Sequence, residues 1–206
     1  VGSSAAAIVG GVVAANALMR NRFSQDELVA LAAKIEGHPD NVAPRFGRIG
    51  CIGVRQKALV ASRLQVPREL KCVIFVPSRA LSTQAARSLL PARVPRADAI
   101  FNASRTALWV VAVQSRQWQW LETATQDRLH QPYRAKLIHG MGGLFDAAMR
   151  AGARGVALSG AGPSIVAYTD GDANKIAHAM QRKAEHLGIS GSARVVRISN
   201  RGAHLT

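Results

Sequence analysis

Four short stretches carry residue types whose spacing can do chemistry. Gly2-Ser3-Ser4-Ala5 is a turn of small residues running into an apolar segment. Such a turn exposes backbone N–H groups at the positive end of a helix, an anion site suited to phosphates, and its serine hydroxyls can reach a Mg²⁺ that bridges them. No lysine follows the glycine, so this is not a Walker motif. "EGHPDN", Glu36 to Asn41, packs two carboxylates, a histidine and an amide around a proline. Glu36 and Asp40 can hold a divalent cation or orient a hydroxyl, and His38 and Asn41 can grip a polar substrate. "DRLHQPYR", Asp127 to Arg134, gathers His130, Tyr133 and Arg134, and arginine is the side chain best suited to a planar carboxylate. The plain alternative there is a surface helix end with local salt bridges. "LSGAGPSI", Leu158 to Ile165, reads either as a structural hairpin or as backbone that must approach a ligand closely.

These stretches need elements to position them. Ala5 to Arg20 reads as a buried helix led in by Gly2-Ser3-Ser4. "SQDE", Ser24 to Glu27, is a capping box, which predicts a helix from Gln25 to about Glu36 with Leu28, Leu31, Ala32 and Ile35 facing a core. Pro39 and Pro44 make the next segment a loop. Strands are expected at Ile49–Val54, Ala58–Leu64 and Leu70–Pro77, and short helices at Ser82–Pro91 and Trp118–Thr125. A long helix is expected over Pro95–Gln114, with Ile100, Leu108 and Val111 inward. The rest reads as helix Gly143–Ala153, strand Gly155–Gly160, a glycine turn, a strand from Ser164, helix Asp172–Leu187 and a closing strand. This alternation indicates α+β with antiparallel strand pairs rather than a doubly wound parallel sheet.

Composition narrows the class. The chain has 206 residues, 48% of them hydrophobic, enough for one domain or two small ones. Cys51 and Cys72 have neither metal-ligand spacing nor disulfide-scaffold density and read as small buried hydrophobes. The formal net charge of +15 raises nucleic acid as a partner, but the basic residues are scattered and aromatics are scarce, which argues against it. The apolar opening has no basic n-region and is diluted by Ser3, Ser4, Asn16 and three glycines, so it reads as neither a signal peptide nor a membrane span.

"GSSAAAIVGG", "EGHPDNVAP", "DAIFNASR", "DRLHQPYR" and "LSGAGPSI", in this order, resemble the homoserine kinase family of the GHMP small-molecule kinases. The resemblance implies a GHMP kinase fold: residues 1–66 as the remainder of a ribosomal-protein-S5-like, ATP-binding N-terminal domain, and residues 67–206 as a ferredoxin-like C-terminal domain. It implies ATP and Mg²⁺ as cofactors, L-homoserine as substrate, O-phospho-L-homoserine as product, a place in threonine synthesis in the cytoplasm, and a homodimer as the usual assembly. Gly2, Ser3, Ser4 and Ala5 fall on the family's phosphate loop, with Ser4 and Glu36 as metal ligands. Asp40 and Asn41 fall at the catalytic position. Whether Asp40 is a general base or only orients the hydroxyl stays open. His38, Asp40, Arg134, Arg105, Gly160 and Gly162 fall on the substrate end. Another GHMP kinase acting on a mevalonate-type alcohol, and a non-catalytic basic nucleic-acid module, are the competing readings.

Two departures accompany the resemblance. The chain opens without methionine and inside its phosphate motif, which leads to the expectation of a fragment with little or no kinase activity alone. "NVAPRFGRIG" has arginine where the family has small or apolar residues, and Arg48 replaces one member of a glycine pair, which is costly if that position needs positive φ.

Overall fold

The computed structural model describes residues 2–47, 52–55, 58–61, 64–79, 81, 86 and 88–204. The expected helix at Ser82–Pro91 falls largely outside the described residues, and Cys51 and Arg48 lie wholly outside them. The chain divides into two compact units: Val1–Val66 with Ser199–Thr206, and Pro67–Ile198. By this division Ser199–Thr206 go with the first unit. The Ala203 N–H donates to the Arg45 carbonyl at 2.6 Å, and the Asn200 side chain pairs with both backbone groups of Val66, so the closing residues belong with the first unit.

In the first unit, α1 (Ser3–Leu18) and α2 (Gln25–Glu36) pack on a 3₁₀ turn at Ala43–Phe46. Ser24 accepts from the Glu27 N–H and Glu27 accepts from the Ser24 N–H, so the predicted capping box is formed and α2 begins where its sequence says. The core is Ala5, Val9, Leu28, Val29, Ala32, Val42, Ala43 and Phe46. Leu31 and Ile35, expected inward, are 46% and 57% exposed, and Val29 takes the core position instead. α1 fully buries only Ala5, Val9 and Asn16, although it was expected to be a buried helix. The buried Asn16 amide closes the α1–α2 connection, accepting from the Phe23 N–H at 3.0 Å and donating to the Phe23 carbonyl at 3.1 Å. Strands β1 (Ile52–Arg55) and β2 (Ala58–Ala61) form an antiparallel pair.

The second unit is a four-stranded sheet of β3 (Lys71–Pro77), β4 (Gly155–Leu158), β5 (Ile165–Thr169) and β6 (Gly191–Arg197), all neighbours antiparallel. Its order is β4-β5-β3-β6, so the first strand lies between the third and fourth, the ferredoxin-like arrangement expected. Val73, Phe75, Val156, Leu158, Ile165 and Ala167 face α6 (Met141–Arg150) and α7 (Ala173–His186) and share one core with them. Tyr168 alternates to the other face, where Trp109 of α3 (Arg96–Gln114) meets it edge-on at 6.1 Å. On α3 the buried residues are Ala112 and Val113; Ile100 and Val111, expected inward, are exposed. A 3₁₀ turn at Trp118–Trp120, α4 (Leu121–Ala124) and α5 (Gln131–Arg134) complete the crossover. Cys72 is a buried free thiol, and burial pushes its pKa up to about 12. Among the described residues, no helix is long and apolar enough to cross a membrane.

Candidate active site

Each unit holds one polar constellation. In the first, Gly2 caps α1 with a left-handed backbone, φ 63° and ψ 35°, and no side chain caps the helix. The N–H groups of the first turn have no intrahelical acceptor and carry the positive end of the helix dipole. Glycine is favoured at this cap because its φ is one that L-residues rarely adopt; a Cβ there would lie 2.6 Å from Nη2 of Arg45, which would have to move aside. Arg45 donates to the Gly2 carbonyl at 2.6 Å, so an arginine that departs from the family pattern braces the glycine turn. Ser4 donates from its hydroxyl to Oε1 of Glu36 at 2.7 Å across 32 positions of sequence. The two residues expected to share a metal are thus brought together, one at the start of α1 and one at the end of α2. Ser3 is exposed, whereas the Ala5 side chain is fully buried and only its backbone can serve a ligand.

α2 ends at Gly37, whose φ of 89° turns the chain into the polar loop. There His38 Nδ1 lies 2.5 Å from Asp40 Oδ1, with His38 half-buried and Asp40 exposed. Asn41 is exposed, and its side-chain oxygen lies 3.7 Å from where a Gly2 Cβ would be. Among the described residues, no three His, Cys, Asp or Glu side chains gather in a metal-holding group.

The second constellation joins "DRLHQPYR" to the glycine turn. Arg134 is only 8% exposed, so the reading of a solvated surface helix end does not hold. Its Nη1 donates to the Gly160 carbonyl at 3.0 Å and its Nε to the Ala86 carbonyl at 3.4 Å. Gly160 and Gly162 both have positive φ, and a Cβ on Gly162 would lie 2.8 Å from Cδ1 of Ile138. Arg105 is elsewhere on the same unit: its guanidinium stacks 4.0 Å above Phe101 and donates to Gln126 at 3.3 Å. It lines a pocket of about 180 Å³ together with Asn102, Asp127, His130 and Tyr168. Tyr133 is half-buried.

Asp127, Asn102 and Gln131, none of them a candidate from the sequence, hold this second constellation. Asp127 accepts the backbone N–H groups of Leu129, His130 and Gln131 and the side-chain amide of Asn102. Burial alone would raise its pKa, but the donors of Gln131, Asn102 and His130 hold it below the usual carboxylate value. Gln131 is buried and bridges elements: it donates to the Thr125 carbonyl at 3.1 Å and accepts from the Leu158 N–H at 2.8 Å. The only sequence signal for these roles is an Asp four positions before a proline-led helical turn, which marks a cap and not its long-range partners.

Family models match residues 1–46, as the GHMP kinases N terminal domain, and residues 109–186, as GHMP kinases C terminal. The homoserine kinase of Caldicellulosiruptor bescii is 45% identical over 170 residues, covering 82% of this chain and 55% of that protein. The homoserine kinase of Persephonella marina is 39% identical over 206 residues, covering 99% of this chain and 68% of that protein. The crystal structure of homoserine kinase from Cytophaga hutchinsonii is 32% identical with a TM-score of 0.90, covering 98% of this chain and 67% of that one. The chain therefore spans between about half and two thirds of the length of these relatives.

Proposed function

Because this chain belongs to the homoserine kinase family of the GHMP kinases, we propose that the protein carrying it transfers the γ-phosphoryl group of ATP to the side-chain hydroxyl of L-homoserine, giving O-phospho-L-homoserine for threonine synthesis in the cytoplasm. The observation that carries this reading is the meeting of Ser4 with Glu36 at 2.7 Å beside an uncapped helix start. Phosphoryl transfer asks a protein mainly for alignment and charge neutralisation. The amides of Ser3, Ser4 and Ala5, following the Gly2 turn, offer hydrogen bonds to phosphate oxygens, and Arg45 behind them adds positive charge.

Mg²⁺ fits the donor set. A hydroxyl and a carboxylate oxygen within 2.7 Å of one another are hard ligands of the number a phosphate-bound Mg²⁺ takes from protein. Ser4 and Glu36 would hold it, and bound there it offsets phosphate charge. His38 pairs with Asp40, which orients the acceptor hydroxyl and takes its proton late in a loose transition state. Asn41 supports the same hydroxyl. Arg134, with its guanidinium fixed on the Gly160 carbonyl, is our choice for the homoserine carboxylate, and Gly160 and Gly162 shape that end of the substrate site. Arg105 is a secondary contact at most, since Phe101 and Gln126 already engage it.

Calorimetric titration with L-homoserine, and separately with Mg²⁺ and a non-hydrolysable ATP analogue, tests this independently of turnover. Mass detection of O-phosphohomoserine then follows transfer itself. Both ligands are expected to bind, and Arg134→Lys is expected to weaken homoserine but not nucleotide. Binding of neither ligand, or preference for mevalonate over homoserine, overturns the proposal.

A further inference from the structure

The Asp127–Arg134 stretch contains more than its arginine. The Asp127 side chain is 6% exposed yet receives three backbone N–H groups and the Asn102 amide, so its carboxylate fixes the start of the short α5 and ties it to α3. From this carboxylate a line of contacts runs to the glycine turn. His130 Nε2 lies 3.7 Å from Asp127 Oδ1, His130 Nδ1 lies 3.3 Å from Arg134 Nη1, and Arg134 Nη1 donates to the Gly160 carbonyl at 3.0 Å. A guanidinium has donors only. The His130 nitrogen that faces it must therefore accept, which puts the ring proton on Nε2, toward Asp127.

We propose that Asp127 and His130 are positioning residues for the acceptor substrate: the Asp127 charge, 3.7 Å from Nε2 and beyond hydrogen-bond reach, favours the ring proton on that nitrogen, and the bare Nδ1 then holds the Arg134 guanidinium against the Gly160 carbonyl, oriented for a substrate carboxylate. This rests on the assignment of Arg134 under the proposed function. The logic is that of an imidazole oriented by a buried carboxylate, with an arginine rather than a nucleophile as the group it serves.

The arrangement needs a neutral imidazole, and its surroundings supply one. Burial lowers the pKa of His130 and the charge of Arg134 lowers it further, while Asp127 opposes them. The other groups around the shared pocket are Arg105 and Asn102 from α3 and Tyr168 from β5, whose phenol burial raises far above neutrality. Protonation of Nδ1 removes the acceptor and sets a second cation 3.3 Å from the guanidinium. Affinity for homoserine therefore falls as the pH drops through the His130 value.

The test is titration of homoserine between pH 5 and 7 into the wild type, His130→Gln, His130→Ala and Asp127→Asn, with the ¹⁵N resonances of the His130 ring read in parallel. Wild type is expected to lose affinity on the acid side, by about tenfold once the His130 ring is protonated, the size of one charge-assisted contact. His130→Gln, which offers a neutral carbonyl acceptor, should lose that pH dependence and keep affinity within about threefold of wild type at pH 7. His130→Ala should be weak at every pH, and Asp127→Asn should shift the ring toward the Nδ1–H tautomer. The inference is overturned by an Nδ1–H ring in the wild type, by an unchanged acid limb in His130→Gln, or by His130→Ala binding as wild type does. A wild type that shows the Nε2–H ring but binds no homoserine at any pH overturns the functional assignment instead, and the substrate role with it.

Discussion

Replacing Gln131 with leucine should unfold the second unit at a markedly lower temperature. Gln131 is 7% exposed and satisfies two backbone groups at once, the Thr125 carbonyl and the Leu158 N–H. Leucine fills similar volume but satisfies neither. Each buried backbone group left without a partner costs about 1–3 kcal/mol, partly offset by the apolar side chain, so the net loss is about 3 kcal/mol. For a unit of this size each kcal/mol shifts the melting temperature by about 3–5 °C, which gives a fall of roughly 10 °C. Trp109, Trp118 and Trp120, the chain's three tryptophans, all lie in this unit, so tryptophan fluorescence reports its melting directly. Gln131→Glu supplies the control. At neutral pH its carboxylate presents an acceptor to the Thr125 carbonyl and is destabilising. Once protonated it can donate to Thr125 and still accept from Leu158. The folded pKa of such a buried acid is raised, so the stability it contributes is present in acid and lost as pH rises through that value. A Gln131→Leu protein melting within about 2 °C of wild type would refute the reasoning, because two buried backbone groups cannot lose their partners at no cost.

Ser4→Ala removes the hydroxyl that lies 2.7 Å from Glu36, at an exposed site, so melting should stay within about 2 °C while affinity for the Mg²⁺-bound ATP analogue falls about tenfold. Addition of EDTA should erase the difference between the two proteins, and a persistent difference would count against the shared-metal reading. Cys72, buried with its thiol raised to about 12, should resist a disulfide reagent at pH 8 in a Cys51→Ser background until denaturant is added; immediate labelling in buffer would contradict its burial. Asn16→Ala leaves both backbone groups of Phe23 without the amide that closes the α1–α2 turn, at a cost of about 2 kcal/mol; faster hydrogen exchange at Phe23 measures it, and unchanged protection would show that the clamp is dispensable.

What was legible in the sequence was local. Ser24 and Glu27 lie three positions apart and cap the same helix end, and Asp172 caps α7 by accepting from the N–H groups of Asn174 and Lys175, so neither depends on the rest of the chain. The direction a helix faces is another matter. Leu31 and Ile35 repeat correctly for a stripe on α2, as Ile100 and Val111 do on α3, yet these four are exposed while Val29, Ala112 and Val113 are buried. Periodicity shows that a helix can have an apolar side; which side is covered depends on where its neighbours arrive, and that is set by the whole unit. Arg45 illustrates the same limit at the site. Its neighbours in sequence suggest an anomaly, and its guanidinium proves to brace Gly2, 43 positions away.

The density of polar residues in "DRLHQPYR" is explained by this distance dependence. A row of charged and amide side chains on a short segment reads as a surface with ion pairs, because most such rows are exposed. Here Asp127, Gln131 and Arg134 are buried, and each satisfies backbone groups that no regular element satisfies: the turn into α5, the Thr125 carbonyl with the Leu158 N–H, and the carbonyls of Ala86 and Gly160. Burying them is costly unless nearly all of their hydrogen bonds are made. A network that is filled in this way has few alternative arrangements, and that is the property the role proposed for Arg134 needs. A guanidinium on a solvated surface samples many rotamers and loses that freedom on binding, whereas Arg134, already anchored to two carbonyls and set against His130, has little left to lose. The polar row costs the second unit desolvation energy, and what it returns is a fixed direction for one positive charge.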